Sequence, residues 1–460
     1  MEEKLTAWID AHQQKMEQDL LELIAIESTE AAPTPQSPFG DGVGEALTKI
    51  AHIGRRLGFQ SHNHQGYYTT IDWGAVTQPR QAVGILCHMD VVPFGEGWAH
   101  SPLGEIVGSR IYGRGALDDK GPAVASLYAM AALKANGVKL SRPIRLVAGG
   151  NEESGCLCMA HYKQTDIPLW GGFSPDGNFP VIFAEKGIAL QQGEVTISSS
   201  LIHSIDAGTA VNAVPGKAEA ILNTADPAEL SQRLSAFSQQ GKIHCTPMGQ
   251  QQLHVTAIGK SAHGSTPEQG ENAIKLLIDA LRFLDISDPL LSLLTKLNDL
   301  FCADPYGQAA GIAVRDEISG SLTLNLGILR YHEEQLHLEL DLRYPVTCSY
   351  PPIQAALAEK LTPLALTFTC TEHKPPLYVD KEAPLVRALA EIYRQTGRRD
   401  TEPLAIGGGT YCRSMDHFVA FGPVGADDAD TMHRADEYLE REHLRFLTKI
   451  YAQALYQLAK

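Results

Sequence analysis

The sequence predicts an α/β protein: a mostly parallel sheet with flanking helices, in a discontinuous domain interrupted by an inserted α+β domain. Three observations carry this expectation. Strand-length apolar runs alternate with helical runs over the first 187 residues, and the same texture returns after residue 384. From about 188 to 383 the pattern changes to period-two strands, which imply antiparallel sheet with one face solvated or covered by helices. The length of 460 residues suits two or three domains of roughly 150 residues each. The expected boundaries are therefore 1–187 and 384–460 for the divided domain and 188–383 for the insert.

The elements follow in order. Leu5, Trp8, Ile9, Leu20, Leu23 and Ile24 fall at helical spacing and predict an opening amphipathic helix over roughly 4–28. A loop containing SPFGDGVG comes next, and GEALTKIAHIGRRLGF is helical again. AVGILCH (82–88) reads as a buried strand, and PAVASLYAMAALKANG (122–137) as a helix, with Pro122 near its first turn and Gly137 at its end. PIRLVAGG (143–150) is another strand and GGFSP (171–175) a short one. In the insert, ALQQGEVTIS, QLHVTAIG, SLTLNLGILRY and QLHLELDLRYP are strands, separated by helices over 271–284 and 352–361. Beyond 384 come a helix in KEAPLVRALAEIYRQTG, a strand over 417–425 and a terminal helix in EREHLRFLTKIYAQALYQLA.

Composition narrows the function classes. Hydrophobic residues make up 44% and charged residues 20%, and the formal net charge is −16. Such a charge argues against a nucleic-acid partner held through phosphates and against a basic membrane-surface patch. No apolar run reaches the roughly 20 residues of a membrane-spanning helix. The start MEEKLTAWIDAHQQ has neither the basic flank nor the apolar core of a secretory signal, so the cytoplasm is the expected location. Eight cysteines without a CxxC pair read as reduced thiols.

Chemistry concentrates in polar breaks at the ends of predicted elements, where open α/β sheets place their ligand sites. His88 ends the strand 82–88, Glu152 and Glu153 follow 143–150, Asp176 follows 171–175, and His433 lies past 417–425. Asp118 and Asp119, in GRGALDDKG, precede a helix whose N-terminus favours negative charge. Imidazole and carboxylate together suit zinc, manganese or cobalt better than calcium or magnesium. Asp90, two residues after His88, is placed to accept a hydrogen bond from that imidazole. Of the adjacent glutamates, one can bind metal while the other takes a proton from water. GRG reads as a turn, DDAD (427–430) as a solvated loop, and His62 and His64 lack a carboxylate at a strand end. His263 sits among small residues between a strand and a helix, either as an exposed working group or as a loop histidine with a local turn role. No GxGxxG, GxxxxGK[ST] or GxSxG motif competes.

These motifs, spanning 88 to 433, resemble the co-catalytic two-metal metallopeptidases that include aminoacylase, glutamate carboxypeptidase, succinyl-diaminopimelate desuccinylase and the carnosinase-type dipeptidases. Within that family the chain is most similar to the bacterial dipeptidase V branch. The resemblance implies two divalent metal ions, zinc first, held by His88, Asp118, Glu153, Asp176 and His433. Asp118 would bridge both ions, joined to Asp119 through a cis peptide bond. His88 and Asp176 would serve one ion, Glu153 and His433 the other, and Asp90 would orient His88. Glu152 would be the general base for a water held between the ions. The insert would be a lid of ferredoxin-like modules: His263 would polarise the scissile carbonyl, while Asn212, Arg343 and the glycines 407–409, Gly408 among them, would meet the substrate and its carboxylate. The implied activity is hydrolysis of small unblocked dipeptides, with domain closure bringing His263 into play. The alternative is deacylation of N-acyl or N-succinyl amino acids. An insert of roughly 195 residues resembles two lid modules in one chain, which implies a monomer rather than a dimer.

Overall fold

A computed structural model describes residues 2–237, 241–399 and 401–460. The chain forms two compact units: residues 1–184, 378–404 and 409–460 make the first, and residues 185–377 with 405–408 make the second.

The first unit is a mixed α/β unit built on a twisted sheet. Its strands run in the order Gln60–His64, Tyr68–Trp73, Ile144–Gly149, Val83–His88, Gly171–Ser174, Phe418–Ala420, Ile182–Glu185, Leu377–Tyr378. The four in the middle, Ile144–Gly149 to Phe418–Ala420, pair in parallel, while Gln60–His64 and Tyr68–Trp73 add on antiparallel. Val83–His88 and Ile144–Gly149 are buried at every position, which is why VGILCH and IRLVAG read as near-continuous apolar runs, broken only by His88 and Arg145, instead of alternating ones. Two glycines allow close approach. A Cβ on Gly172 would lie 1.9 Å from the Gly84 carbonyl oxygen of the neighbouring strand, and one on Gly149 would lie 1.7 Å from the Tyr411 hydroxyl. Tyr411 fills that space and packs edge-on against His88.

Helix Lys120–Ala135 is buried continuously from Lys120 to Leu133. It packs against Glu2–Ile24 and Arg441–Ala459, so the two ends of the chain share one helical layer. Arg145 clamps the antiparallel margin of the sheet: its guanidinium donates to both oxygens of Asp72 at 2.7 Å and to Asp166 at 2.7 Å. The strand expected over 417–425 is shorter, Phe418–Ala420. Gly422 turns the chain with φ +79° and Pro423 has no N–H to continue a ladder. The DDAD loop is not wholly solvated either, because Asp428 accepts from Arg398 at 2.6 Å and from the Gly425 amide at 2.9 Å.

The second unit is built on an eight-stranded sheet, ordered Ile243–Met248, Gln252–Ile258, Lys217–Asn223, Ile202–Ala207, Thr323–His332, Gln335–Tyr344, Gly187–Thr196, Phe368–Lys374. All its pairings are antiparallel. It divides into two four-stranded halves that meet at Ile202–Ala207 and Thr323–His332. In each half a hairpin is followed by a helix, Pro227–Ser235 or Tyr350–Leu361, and then by the edge strand. Alternate residues of Lys217–Asn223 and Gln252–Ile258 are buried, and one continuous apolar core includes these residues and those of helices Ala273–Phe283 and Pro289–Phe301. Asn272 and Asp288 cap those two helices through their side chains, worth about 1 kcal/mol each. Among the described residues no helix is long and apolar enough to cross a membrane, and none of the eight cysteines forms a disulfide.

Candidate metal centre

Six of the chemically suited side chains of the first unit converge. His88 is delivered by the last residue of its strand and has no exposed surface. Its Nε2 lies 2.9 Å from Asp118 Oδ1. Its Nδ1 lies 2.9 Å from the main-chain carbonyl of Asp90 and 3.5 Å from Asp90 Oδ1, so Asp90 holds the ring first through its backbone. Asp90 Oδ2 accepts instead from the Glu153 amide at 3.0 Å and fastens the NEES turn. Asp118 precedes the buried helix, and its peptide bond to Asp119 is cis. Asp119 Oδ2 accepts from the His88 amide at 3.1 Å.

The two oxygens of Asp118 face different partners. Oδ1 meets His88, and Oδ2 meets His433 Nε2 at 2.9 Å. The same His433 nitrogen lies 3.2 Å from Glu153 Oε1. His433 adopts φ +59°, a conformation a non-glycine residue holds only where its surroundings enforce it. Ligand atoms of His88, Asp118 and Glu153 lie within 4.8 Å of one another, as do those of His88, Glu152 and Asp176. The two groups share His88, and Asp118 links His88 to His433 through its two oxygens, so the site has one pole with Asp176 and Glu152 and another with Glu153 and His433.

Electrostatics test whether this set fits a pair of cations. Burial pushes Asp176 up to about 7, with the Asp118 carboxylate adding to the rise. Burial, followed by the Asp176 charge, holds Glu152 well above the ordinary carboxylate range. Burial also opposes ionisation of Asp118, but its hydrogen bonds to His433 and His88 override that and hold it below the ordinary range. His433 is raised to about 11, first by Asp118 and then by Glu153. For His88, burial disfavours the charged ring, but the hydrogen bonds to Asp118 and Asp90 win and raise it well above its ordinary value. Carboxylates crowded this closely repel one another unless positive charge lies between them, and a mixed imidazole–carboxylate set is the donor chemistry of zinc, manganese and cobalt. The residues present fit two divalent ions.

The second unit brings together the remaining candidates. Asn212 and His263 are neighbours: the Gly264 amide donates to the Asn212 carbonyl at 2.7 Å, and Ala213 and His263 form an antiparallel bridge. Asn325 braces that loop through the carbonyls of Val211 and Ala213. His263 Nδ1 accepts from the Ser265 amide at 3.2 Å and lies 2.6 Å from the Ser265 hydroxyl. An accepting Nδ1 leaves the proton on Nε2, so the exposed end of the ring is a donor. Partial desolvation, then the Arg343 guanidinium, pull this imidazole below its ordinary value and favour its neutral form. Arg343 is nearly buried and is engaged within the protein, to Asp341 at 2.9–3.1 Å and to the Gly407 carbonyl at 2.8 Å. Gly407 and Gly408 belong to this unit and Gly409 to the first. A recess of about 750 Å³ opens in the second unit beside Ser265 and Gly407, with Lys186 and Arg315 also on its wall.

Sequence reasoning missed Ser265, which fixes the His263 tautomer, and passed over Arg114 as part of a turn. A hydroxyl two residues after a candidate histidine was the available signal for Ser265. His62 and His64 lie on the outermost strand of their sheet, with His64 turned to Thr70 and stacked on Tyr68.

The family described as "Peptidase family M20/M25/M40" matches residues 84–457. A Bacillus subtilis (strain 168) protein named "Putative dipeptidase YtjP" is 36% identical over 459 residues, covering 96% of both chains. A Staphylococcus epidermidis protein named "Putative dipeptidase" is 33% identical over 460 residues, covering 97% of both. Among solved structures, human carnosine dipeptidase 1 superposes with a TM-score of 0.57 at 15% identity, over 100% of this chain and 99% of that one. The dipeptidase Dug1p of Saccharomyces cerevisiae gives 0.58 at 13% identity, over 99% and 98%. At such identities the structural likeness concerns the fold.

Proposed function

Because the chain belongs to peptidase family M20/M25/M40, a family of metal-dependent peptidases, we propose that it is a dipeptidase that cleaves small unblocked dipeptides at a two-metal centre. The observation that carries this reading is the division of the two Asp118 oxygens between His88 and His433, with Glu152 beside the His88 pole. The names of the relatives from Bacillus subtilis and Staphylococcus epidermidis support the substrate class. His88, Asp118 and Asp176 would hold one ion, and Asp118, Glu153 and His433 the other, zinc first and manganese or cobalt as alternatives. Ions bound there supply Lewis acidity, which makes water a nucleophile at neutral pH and polarises a carbonyl.

The residues then divide the work. Glu152 takes the proton from water as the new C–O bond forms at the peptide carbonyl. It returns that proton to the amine nitrogen as the C–N bond breaks, so no proton is consumed in the step. Asp90 orients His88 through its carbonyl and the NEES turn through its carboxylate. His263, its Nε2–H set by Ser265, donates to the carbonyl oxygen as negative charge develops there. Arg343 fixes the Gly407 carbonyl, and the Gly407–Gly408 backbone with the Asn212 loop receives the substrate's carboxylate. The two halves of the lid sheet lie in one chain, which supports a monomer.

The test is a panel of free dipeptides and of N-acetyl- and N-succinyl-amino acids, offered to metal-stripped protein restored with zinc, manganese or cobalt in turn. Turnover of the free dipeptides only after restoration supports the reading. Preference for the N-acylated compounds would replace it with deacylation.

A further inference from the structure

Gly113-Arg114-Gly115 carries no role in the hydrolysis, yet its arginine is one of the most buried charges in the first unit. Arg114 is 2% exposed and its partner Glu437 not at all. Burying both charges costs several kcal/mol that their attraction repays only with good geometry and further hydrogen bonds. The structure provides those bonds in an asymmetric pattern. Glu437 Oε1 accepts from three main-chain amides, Gly115 at 3.1 Å, Leu117 at 2.9 Å and Asp118 at 3.2 Å. Its other oxygen accepts from Arg114 Nη1 at 2.7 Å. Arg114 also donates to the carbonyls of Arg434 at 3.2 Å, Phe94 at 3.1 Å and Pro93 at 3.4 Å. Trp98 covers the guanidinium and donates to the same Phe94 carbonyl.

These contacts tie together three segments: the loop after His88, the backbone that ends in Asp118, and the turn that carries His433. The three are scattered along more than three hundred residues of sequence. The strand Arg110–Tyr112 pairs antiparallel with Tyr438–Glu440, but that ladder stops short of Asp118 and His433 and does not include the loop after His88. We infer that Arg114 and Glu437 are positioning residues of the metal centre, which fix the Asp118 backbone and the His433 turn at the spacing two cations require. The inference rests on the two-metal reading above. A carboxylate suits the post because both of its faces accept. Glutamine at 437 must turn its NH2 either towards Arg114 or towards the three amides, and either way donors face donors.

The experiment titrates Mn2+ into metal-stripped protein by calorimetry, for the wild type, Glu437→Gln and the double variant Arg114→Met/Glu437→Leu, with thermal melts of each metal-free protein. The double variant removes both buried charges together, a change that well-packed interiors often tolerate. The expected result is a folded variant in which at least one of the two Mn2+ sites is weakened by about 10–100-fold, the range seen when an outer partner of a metal ligand is lost. Folded variants that bind both Mn2+ ions within tenfold of wild type overturn the inference. So does failure of both variants to fold, which would make the pair a determinant of the fold alone. If wild-type protein itself takes up no Mn2+, the two-metal reading fails and not this step.

Discussion

Protons and metal ions must compete for the same atoms in this centre, and the competition has a calculable slope. The perturbation is pH, between 6 and 8. Asp176, held near 7 by burial and by Asp118, is about nine-tenths protonated at pH 6 and about one-tenth at pH 8, so its resistance to metal falls about tenfold over that span. His433, raised to about 11 by Asp118 and Glu153, stays protonated throughout, so displacing its proton adds about tenfold in apparent affinity per pH unit. Both groups are raised, both hold a proton the metal must displace, and both effects therefore carry the same sign: affinity rises with pH. They act on different ions, so between pH 6 and 8 the ion at Asp176 should gain about tenfold in apparent affinity and the ion at His433 about 100-fold. Competition with a chromophoric chelator at fixed ionic strength, corrected for the chelator's own protonation, measures it. An apparent affinity independent of pH would refute the reasoning, because it would mean that no proton leaves Asp176 or His433 when metal enters.

Other predictions address single residues. Glu152→Gln lowers kcat by about 100-fold or more with both metal ions retained, as metal analysis beside single-turnover kinetics would record; wild-type turnover would remove Glu152 as the base. His263→Ala lowers kcat by about 100–1,000-fold without altering Mn2+ binding, and an effect confined to KM would speak against donation to the reacting oxygen. Arg145→Met leaves Asp72 and Asp166 without their buried partner and destabilises the first unit by about 3–5 kcal/mol, read by urea unfolding with metal stoichiometry unchanged. A loss below about 1 kcal/mol would show that the clamp contributes little.

Much of the candidate centre was legible because most of the residues that would hold metal follow strand ends. His88 follows five apolar residues, Glu152 and Glu153 follow IRLVAGGN, and Asp176 follows GGFSP, so a run of buried side chains that breaks into a carboxylate or imidazole marks each position. The long amphipathic helices were legible from spacing, as in Glu2–Ile24 and Ala273–Phe283. Helix Pro289–Phe301 was not assigned, although Asp288 followed by proline and a leucine-rich run is a start signal. The hairpin of Gln60–His64 and Tyr68–Trp73 escaped because its first strand, QSHNH, is too polar to alternate. Arg114 and Glu437 could not be linked by reading, since a salt bridge across 323 positions leaves no local trace. For Arg343 only the resemblance implied a substrate contact, and its pairing with Asp341, two residues earlier on the same strand, had no signal in the sequence.

Anomalous diffraction from crystals of the protein loaded with Mn2+ tests the central claim most directly. Two peaks that share Asp118 are expected, one ligated by His88 and Asp176 and the other by Glu153 and His433. A single peak, or peaks that leave Asp118 out of the coordination, would contradict it.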